Sequence, residues 1–413
     1  MFFSSFSRYI NCFFILILLF TLGMIAIYQI PNNYLEPQYT KSIRQLDKEE
    51  DYASFLFDTD ASILDNFTDK LMINTCHKNE NTNNSIEEAF SNNGYPRYWH
   101  GYLIVLRPIL TQFTYQQIRY INMFFLLISF CLCFSGIQQR INSVSALGFS
   151  ISIIACFIVF ISESLQYFSV FIILFITLLI LIYIPYFKNM QNTPLLLFAV
   201  GIITNFFDLL TAPLLTLGIP LTLIIAQNYS INKNMNLRKQ FRCIFKNSIS
   251  WGVGYCSCWL SKWAISSLIL KTNIFWDAFR SAQFRIKGNE NYPLDRKIML
   301  KLNFETYFFA KGHKPAFILL VLFLIILFIF SRYRKKNWIN IIIPSLFIGF
   351  YPYFWYLLFA NHSQMHYFYT YRIQAITVFA IFTAMSCAID WKIFFSKILK
   401  HPDQKKMEQI HYF

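Results

Sequence analysis

The sequence predicts an all-α protein that crosses a membrane about ten times, and its composition and patterning support this fold class. Of the 413 residues, 56% are hydrophobic and only 14% are charged, whereas roughly a quarter of the residues of a soluble domain carry a charge. The apolar residues occur in long blocks, many of them close to the ~20 residues that a membrane-spanning helix needs. We therefore expect one integral membrane domain over residues 1–413.

Several features of the blocks refine the number and type of spans. The first block has no small-x-small cleavage site, so we predict an uncleaved anchor. The fifth and sixth are short and meet near Asp208. Because a charge at the centre of a membrane costs about 2.5–3.5 kcal/mol, we expect a turn at Asp208 near the outer surface. The predicted spans are 11–30, 118–136, 144–162, 167–186, 194–207, 209–227, 248–270, 315–331, 338–360 and 372–390.

The net charge of +15 predicts the orientation of the chain. Ten spans place both termini on the same side of the membrane. If that side is the cytoplasm, the short inner segments hold most of the basic excess, for example Arg238, Arg242, Arg334 and Lys335. This agrees with the positive-inside rule. The charge is therefore attributed to topology, and nucleic acid is not an expected partner.

The outer side is predicted to hold most of the polar mass. The first outer loop covers 31–117, with interfacial helices, and a second large one covers 271–314, where Arg280, Arg285 and Arg296 are further cations. The cytoplasmic connections are short, and the sequence has no G-x-G-x-x-G or Walker motif. This excludes an enzyme with a cytosolic nucleotide-sugar domain and an ATP-driven pump.

Acidic residues cluster in the first outer loop over 57–69. Asp60, Asp65 and Asp69 are candidates for a general base or for metal ligands at the outer interface. The alternative is that Asp60 or Asp65 caps a helix that runs into the apolar residues 71–73.

The segment 95–108 combines aromatic residues with Arg97, His100 and Arg107. Such a segment suits the headgroup layer of a membrane, where an arginine can hold a phosphate through two charge-assisted hydrogen bonds. The three residues are thus candidates for binding a lipid phosphate. The alternative is interfacial anchoring by the neighbouring aromatic rings.

Two ionisable residues lie within apolar stretches, Asp208 and Lys262. Ionisable groups inside a membrane are costly and often functional, so both are candidates for binding a lipid phosphate or a sugar. Asp208 could instead form a structural ion pair, and Lys262 could extend its ammonium group toward the outer surface.

A last cluster follows the ninth predicted span, at 361–372. His362 and His366 are four residues apart and share one face if the segment is helical. Together with Tyr371 and Arg372 they are candidates for binding a phosphate or a sugar. A metal-binding pair of histidines and an aromatic belt are the alternatives.

These segments carry a resemblance to a known class of protein. The stretches 62–72, 95–108 (YPRYWHGYLIVLRP), 206–221 (FFDLLTAPLLTLGIPL) and 361–372 (NHSQMHYFYTYR) resemble membrane proteins of bacterial surface-polysaccharide gene clusters. The arrangement of an anchor, an acidic outer loop and a late His, Tyr and Arg cluster is similar to the GT-C superfamily of membrane glycosyltransferases.

The resemblance implies a fold, an activity and partners. It implies a multi-pass protein of the bacterial plasma membrane that takes sugar from a polyprenyl phosphate and transfers it to a glycan or lipid acceptor. The base would be an aspartate, carried over to Asp60, Asp65 or Asp69. It does not fix a cofactor, and a divalent cation is one candidate. Membrane lipids are the other expected partners.

Two other functions remain as hypotheses at this stage. One is a polymerase or ligase of lipid-linked oligosaccharides, and the other is a flippase or exporter of a lipid-linked sugar. The transferase hypothesis requires that the acidic, imidazole and guanidinium groups named above meet in one pocket at the outer headgroups. A flippase should instead place polar groups through the middle of the membrane.

Overall fold

A computed structural model describes residues 2–54, 60–78, 84–92, 94–189, 191–231, 235–310, 317, 318, 322 and 334–391. The regular structure of these residues is helical, and no strand occurs among them. Nearly all of the predicted span 315–331 lies outside the described residues. The helices are α1 Phe2–Ile27, α2 Asn32–Leu46, α3 Asn66–Cys76, α4 Ser85–Ser91, α5 Leu103–Ile109, α6 Tyr115–Arg140, α7 Ser143–Ile154, α8 Ile158–Glu163, α9 Leu165–Tyr183, α10 Thr193–Phe207, α11 Leu215–Ile231, α12 Leu237–Leu270, α13 Ile274–Lys287, α14 Arg296–Phe308, α15 Ile339–Gly349, α16 Tyr351–Leu358, α17 Ala360–Met365, α18 Tyr367–Thr370 and α19 Ala375–Ala388.

Five helical segments in the described ranges are long and apolar enough to cross a membrane. The expectation of a helical membrane protein agrees with this, whereas the count of ten does not follow from these segments alone. Three further apolar helices, α7, α10 and α11, are shorter. The five segments are Phe6–Ile27, Tyr115–Arg140, Leu165–Tyr183, Ile339–Leu358 and Tyr367–Ala388.

One predicted span is interrupted, and one long apolar stretch is divided where a division was expected. The segment 144–162 is not one helix, because α7 ends at Ile154 and Phe157 adopts a left-handed conformation (φ 56°) before α8. The stretch 194–227 is divided as predicted, since α10 ends at Phe207 and α11 begins at Leu215. The backbone N–H of Asp208 still donates to Thr204 and closes the last turn of α10.

Helix α11 forms the centre of the bundle. Every residue from Leu215 to Asn228 is buried, as expected for a helix that is apolar on all sides and enclosed by neighbours. Helices α9, α12, α15 and α19 pack around it. Helix α7 in turn packs against α19. The two helices approach closely at Gly148, where a Cβ would lie 2.3 Å from the Cβ of Phe382.

Helices α10 and α12 cross at two glycines. A Cβ on Gly201 would lie 2.2 Å from the carbonyl oxygen of Trp251, and one on Gly254 would lie 2.2 Å from that of Phe198. Small residues at helix crossings allow backbones to approach within membranes, where dispersion contacts drive association. Helix α1 packs against the pair α10–α12, for example through the ring contact of Tyr9 with Phe198.

The connections collect at two opposite ends of the bundle. One end, which we call the polar cap, is formed by residues 28–54, 60–78, 84–92, 94–114, 155–164, 208–214, 271–310 and 359–374. Contacts between distant segments hold it together, among them those of Arg97 with Asp277 and of Tyr371 with the carbonyl group of Cys156. The other end, which we call the basic end, includes 137–142, 184–189, 235–247 and 334–340.

Candidate functional site

The polar cap contains a cavity of about 210 Å³ lined by two guanidinium and two imidazole groups. We call it the imidazole–guanidinium pocket. It brings together the loop before α5, helix α13 and helix α17, which are far apart in sequence. Its lining residues are Tyr95, Arg97, Ser281, Phe284, Arg285, Asn361, His362, Met365 and His366.

Helical spacing explains why α13 and α17 present these side chains together. Ser281, Phe284 and Arg285 follow the i, i+3, i+4 pattern of one helix face. His362 lies on α17, and His366 is the C-cap residue of that helix, whose backbone N–H donates to the carbonyl oxygen of His362. The two helices are fixed to each other by Asn361, whose Nδ2 donates to the carbonyl oxygen of Phe284 at 3.0 Å.

Arg285 places a positive charge in the pocket. Its Nη2 donates to the hydroxyl of Tyr95 at 3.4 Å, and the guanidinium lies 5.4 Å from the centre of the Tyr98 ring. No carboxylate pairs with it within the described parts of the chain. A half-buried cation without a counter-ion is costly, and an anionic ligand would relieve that cost.

Arg97 adds a second, partly neutralised cation. Its Nη1 donates to Oδ2 of Asp277 at 2.6 Å, and its guanidinium stacks 4.4 Å from the centre of the Tyr95 ring. The Asp277 side chain is 46% exposed, and exposed pairs contribute little free energy. The Nε of Arg97 is buried and has no hydrogen-bond partner among the described residues, so Arg97 retains a donor for a ligand.

The two histidines are neutral at neutral pH. Burial, the other imidazole and Arg285 lower the pKa of His362, and burial followed by Arg285 lowers the pKa of His366 to about 4. The Nε2 of His362 lies 2.9 Å from the carbonyl oxygen of Leu210. It must therefore carry the proton, which leaves Nδ1 as an acceptor. The His366 ring stacks on Tyr369, with 5.1 Å between centres.

The acids of the first loop lie outside the pocket. Asp65 is the N-cap of α3 and accepts from the backbone N–H of Thr68 at 3.0 Å, which is the capping role that the sequence left open. Asp60 is exposed and accepts from the hydroxyl of Tyr367 at 3.0 Å. The expected approach of these acids to the histidines and arginines is therefore not found, and the condition set for the transferase hypothesis is not met by Asp60, Asp65 or Asp69.

Asp69 is fully buried and is bonded by the start of α9. Its carboxylate accepts from Tyr115 at 2.6 Å, Ser164 at 3.1 Å, and the backbone N–H groups of Leu165 at 2.9 Å and Gln166 at 3.1 Å. Burial raises its pKa to about 6 despite these donors. A negative group at a helix N-terminus stabilises the helix. The geometry thus gives Asp69 a structural role.

His100 and Arg107 are also enclosed away from the pocket. The Nε2 of His100 faces the carbonyl oxygen of Tyr95 at 3.0 Å and its Nδ1 faces the Tyr102 hydroxyl at 2.9 Å. Burial lowers the pKa of His100 to about 3, so its imidazole is neutral at neutral pH and offers no positive charge to a phosphate. Arg107 donates to the carbonyl oxygens of Ile27, Ile30 and Cys76 and to Asn32, which joins α1 to the first loop.

Lys262 does not extend to the surface. It is fully buried, donates to the carbonyl oxygen of Phe90 at 3.3 Å and lies 4.7 Å from the centre of the Phe90 ring and 5.5 Å from that of Trp99. It connects α12 to the first loop through cation–π contacts. Its ammonium group thus ends among residues of the first loop and does not reach the protein surface.

Asp208 begins the turn between α10 and α11. Both carboxylate oxygens accept from the backbone N–H of Thr211 at 3.1 Å, and burial raises its pKa to about 7. The ion-pair alternative is not what the structure shows, because no cation pairs with Asp208 in the described chain. Its turn supports the pocket through Leu210, which binds His362.

Tyr371 and Arg372 belong to the buried part of the polar cap, where it meets the bundle. Both are fully buried. Tyr371 donates to the carbonyl oxygen of Ala61 at 2.8 Å, and Arg372 donates through Nε to that of Cys156 at 3.1 Å. The Arg372 guanidinium lies 4.2 Å from the centre of the Tyr167 ring. Neither residue lines the imidazole–guanidinium pocket.

Of the predicted site residues, the structure thus brings together Arg97, His362 and His366. Sequence reasoning missed Asp277 and Asn361 and treated Arg285 only as an additional cation. The sequence signal that could have pointed to Arg285 was its position in the last turn of an amphipathic helix. No group of three or more His, Cys, Asp or Glu side chains within the described ranges is placed to hold a metal ion.

Comparison of the chain with protein-family models, with curated proteins and with solved structures finds no match. The chemistry of the pocket is therefore argued from its geometry. Two arginines, one of them without a counter-ion among the described residues, and two neutral imidazoles in a small cavity suit a phosphate group. Arginine can hold phosphate oxygens through parallel charge-assisted bonds, and an imidazole can accept or donate a proton at the same group.

Proposed function

We propose that this protein is a GT-C-type membrane glycosyltransferase of the bacterial plasma membrane. In the proposal it has about ten spans, cytoplasmic termini and an outward polar cap. It takes a sugar from a polyprenyl phosphate and transfers it to a glycan or lipid acceptor. The observation that carries the proposal is the Arg285 guanidinium in the imidazole–guanidinium pocket, with no carboxylate partner in the described chain.

The pocket suits the leaving group of this reaction. Transfer breaks the bond between the sugar carbon and a phosphate oxygen, and negative charge grows on that oxygen. Positioned cations that bind the developing charge lower the barrier. Arg285 and Arg97 provide such donors, and a dianionic phosphate would raise the pKa values of His362 and His366 and so favour their protonation.

The acceptor hydroxyl must lose its proton as it attacks the sugar. Asp65 and Asp69 are engaged as the N-cap of α3 and at the start of α9. Asp277 instead bonds directly to a pocket residue and is nearly half exposed. Within the proposal, Asp277 takes the role of the base that the resemblance assigned to the first loop.

Of the two alternative functions, a polymerase or ligase fits the geometry equally well, and a flippase or exporter fits it less well. A polymerase or ligase of lipid-linked oligosaccharides would use the same phosphate site, and identification of the product separates it from a single-sugar transferase. A flippase or exporter needs a polar route through the bundle. The central helix α11 is buried among mostly apolar side chains, which favours the transferase.

Binding of the carrier tests the proposal. The purified protein in detergent is titrated with decaprenyl phosphate, and with decaprenol as the ligand without a phosphate, and thermal unfolding is recorded. We expect stabilisation by the phosphate only. Arg285→Met should weaken binding by about 10- to 100-fold, because charged hydrogen bonds contribute about 1.5–3 kcal/mol. Arg280→Met is the matched control, since Arg280 lies on the same helix over Trp276 and does not line the pocket.

Transfer is measured with radiolabelled glucosyl phosphoryl decaprenol in membranes that contain the protein. Label should leave glucosyl phosphoryl decaprenol and appear in another product with the wild type, while Asp277→Asn should bind decaprenyl phosphate and fail to transfer. Equal binding of decaprenyl phosphate and decaprenol by the wild type would contradict the proposal. Normal binding of decaprenyl phosphate by Arg285→Met would show that Arg285 does not hold the phosphate, and would contradict the basis of the proposal.

A further inference from the structure

A second polar cavity lies at the basic end, on the side of the bundle away from the imidazole–guanidinium pocket. Its volume is about 500 Å³, and it is formed where α11 ends, where α12 begins and where the connection from α9 to α10 passes. We call it the basic-end cavity. Nothing in the proposed transfer reaction uses it.

Three cations of α12 line this cavity. Lys239, Arg242 and Lys246 follow the i, i+3, i+7 spacing of one helix face. All three are exposed, and none of them has an ion-pair partner in the part of the chain that the structure describes. The positive-inside rule explains cations at this end, but it does not require that three of them converge on one cavity.

The buried wall of the cavity contains a hydrogen-bond acceptor without a donor in the described chain. Asn247 is fully buried and lines the cavity. Its Nδ2 donates to the carbonyl oxygen of Cys243 at 2.8 Å, which fixes the orientation of the amide. Its Oδ1 has no donor among the described residues. A buried acceptor without a donor costs about 1–3 kcal/mol, so a ligand that brings a hydroxyl would be favoured here.

From this combination we infer that the basic-end cavity binds a phosphate ester that carries a free hydroxyl. The phosphate oxygens accept from Lys239, Arg242 and Lys246, and the hydroxyl donates to Oδ1 of Asn247. Two sources have this chemistry: the headgroup of phosphatidylglycerol and a soluble polyol phosphate. Exposed Ile231 on the cavity wall offers apolar area beside the polar groups, as a lipid would use.

The test compares ligands that differ by one group. Purified full-length protein in nonionic detergent is titrated with dioctanoyl phosphatidylglycerol, dioctanoyl phosphatidylmethanol, dioctanoyl phosphatidylcholine and glycerol 1-phosphate, with binding measured by native mass spectrometry and thermal shift. We expect phosphatidylglycerol to bind more tightly than phosphatidylmethanol, which lacks the hydroxyls, and phosphatidylcholine to bind weakly. Tighter binding of the lipid than of glycerol 1-phosphate identifies the membrane as the source, and the reverse order identifies a soluble ester.

Variants locate the binding. Arg242→Gln and Lys246→Gln should each weaken phosphatidylglycerol binding about fivefold, the value of one charge near a membrane surface. Arg238→Gln is the matched control, because Arg238 is an exposed neighbour on α12 that does not line the cavity. Asn247→Leu should remove the preference for phosphatidylglycerol over phosphatidylmethanol.

Two results would overturn the inference. In one, Arg238→Gln weakens binding as much as Arg242→Gln, so that only surface charge matters. In the other, the wild type binds phosphatidylglycerol and phosphatidylmethanol equally. Neither result bears on decaprenyl phosphate binding at the imidazole–guanidinium pocket, so failure here and failure of the proposed function are distinguishable.

Discussion

Replacement of Asp69 by asparagine separates a structural role from a catalytic one. Each carboxylate oxygen accepts two hydrogen bonds, Oδ2 from Tyr115 and Leu165 and Oδ1 from Ser164 and Gln166. An asparagine keeps one oxygen and turns an NH₂ group toward one hydroxyl and one backbone N–H. The hydroxyl can turn and accept from the NH₂ group, but the backbone N–H loses its acceptor, and the remaining bonds lose the charged acceptor that makes each worth about 1.5–3 kcal/mol.

Part of this loss is recovered because burial disfavours the ionised form of Asp69, whose pKa is raised to about 6. We expect Asp69→Asn to lower the free energy of unfolding by about 3–5 kcal/mol. That is a large share of the ~5–15 kcal/mol that stabilises a typical protein. Unfolding by sodium dodecyl sulfate in mixed micelles, followed by tryptophan fluorescence, measures the change.

Asp60→Asn is the control for this experiment. Asp60 is an acid of the same loop, but it is exposed, and its carboxylate accepts from the hydroxyl of Tyr367. Its replacement should change the free energy of unfolding by no more than about 0.5 kcal/mol. If Asp69→Asn unfolded like the wild type and yet abolished sugar transfer, Asp69 would be a catalytic group and the structural interpretation would be refuted.

Three further predictions follow from buried contacts elsewhere in the chain. Arg107→Met should lower the free energy of unfolding by at least about 4 kcal/mol in the same titration, because the hydrogen bonds of Arg107 to four oxygens, two of them buried, are lost; an unchanged midpoint would contradict this. The pKa of His366 is lowered to about 4 in the folded chain, whereas in the unfolded chain it lies near 6.5. The unfolded chain therefore binds more protons between these pH values, and wild-type stability should fall relative to His366→Asn by about 3 kcal/mol as the pH drops from 6.5 to 4. Parallel pH profiles of the two proteins would refute this prediction. Gly201→Ala should lower the melting temperature, since its Cβ would lie 2.2 Å from the carbonyl oxygen of Trp251, whereas Gly252→Ala, with open space around its Cβ, should not; equal melting temperatures would show that the α10–α12 crossing can relax.

The sequence predicted the fold class because hydrophobic blocks and sparse charge are properties of segments. A run of about 20 apolar residues reports the need for a lipid environment wherever its neighbours lie. The division of 194–227 at Asp208 was predictable for the same reason, as a buried charge there is costly. The break at Phe157 was not, because it depends on how α7 and α8 pack.

The candidate site was only partly predictable because ionisable residues look alike in a sequence whatever surrounds them. His362 and His366 could be paired from their helical spacing. Nothing local distinguished Arg97, which lines the pocket, from Arg107, which is enclosed ten residues later by carbonyl groups.

The amino-acid sequence by itself determined that this chain is helical, apolar and suited to a membrane, because composition and block length follow from the order of residues alone. Only the tertiary structure decided which charged groups have partners. Asp69 meets four donors and Arg285 meets no carboxylate in the described chain, because each pairing depends on segments more than forty residues apart in the chain. Long-range packing, and not residue type, therefore separates the structural ions from those left to bind a ligand.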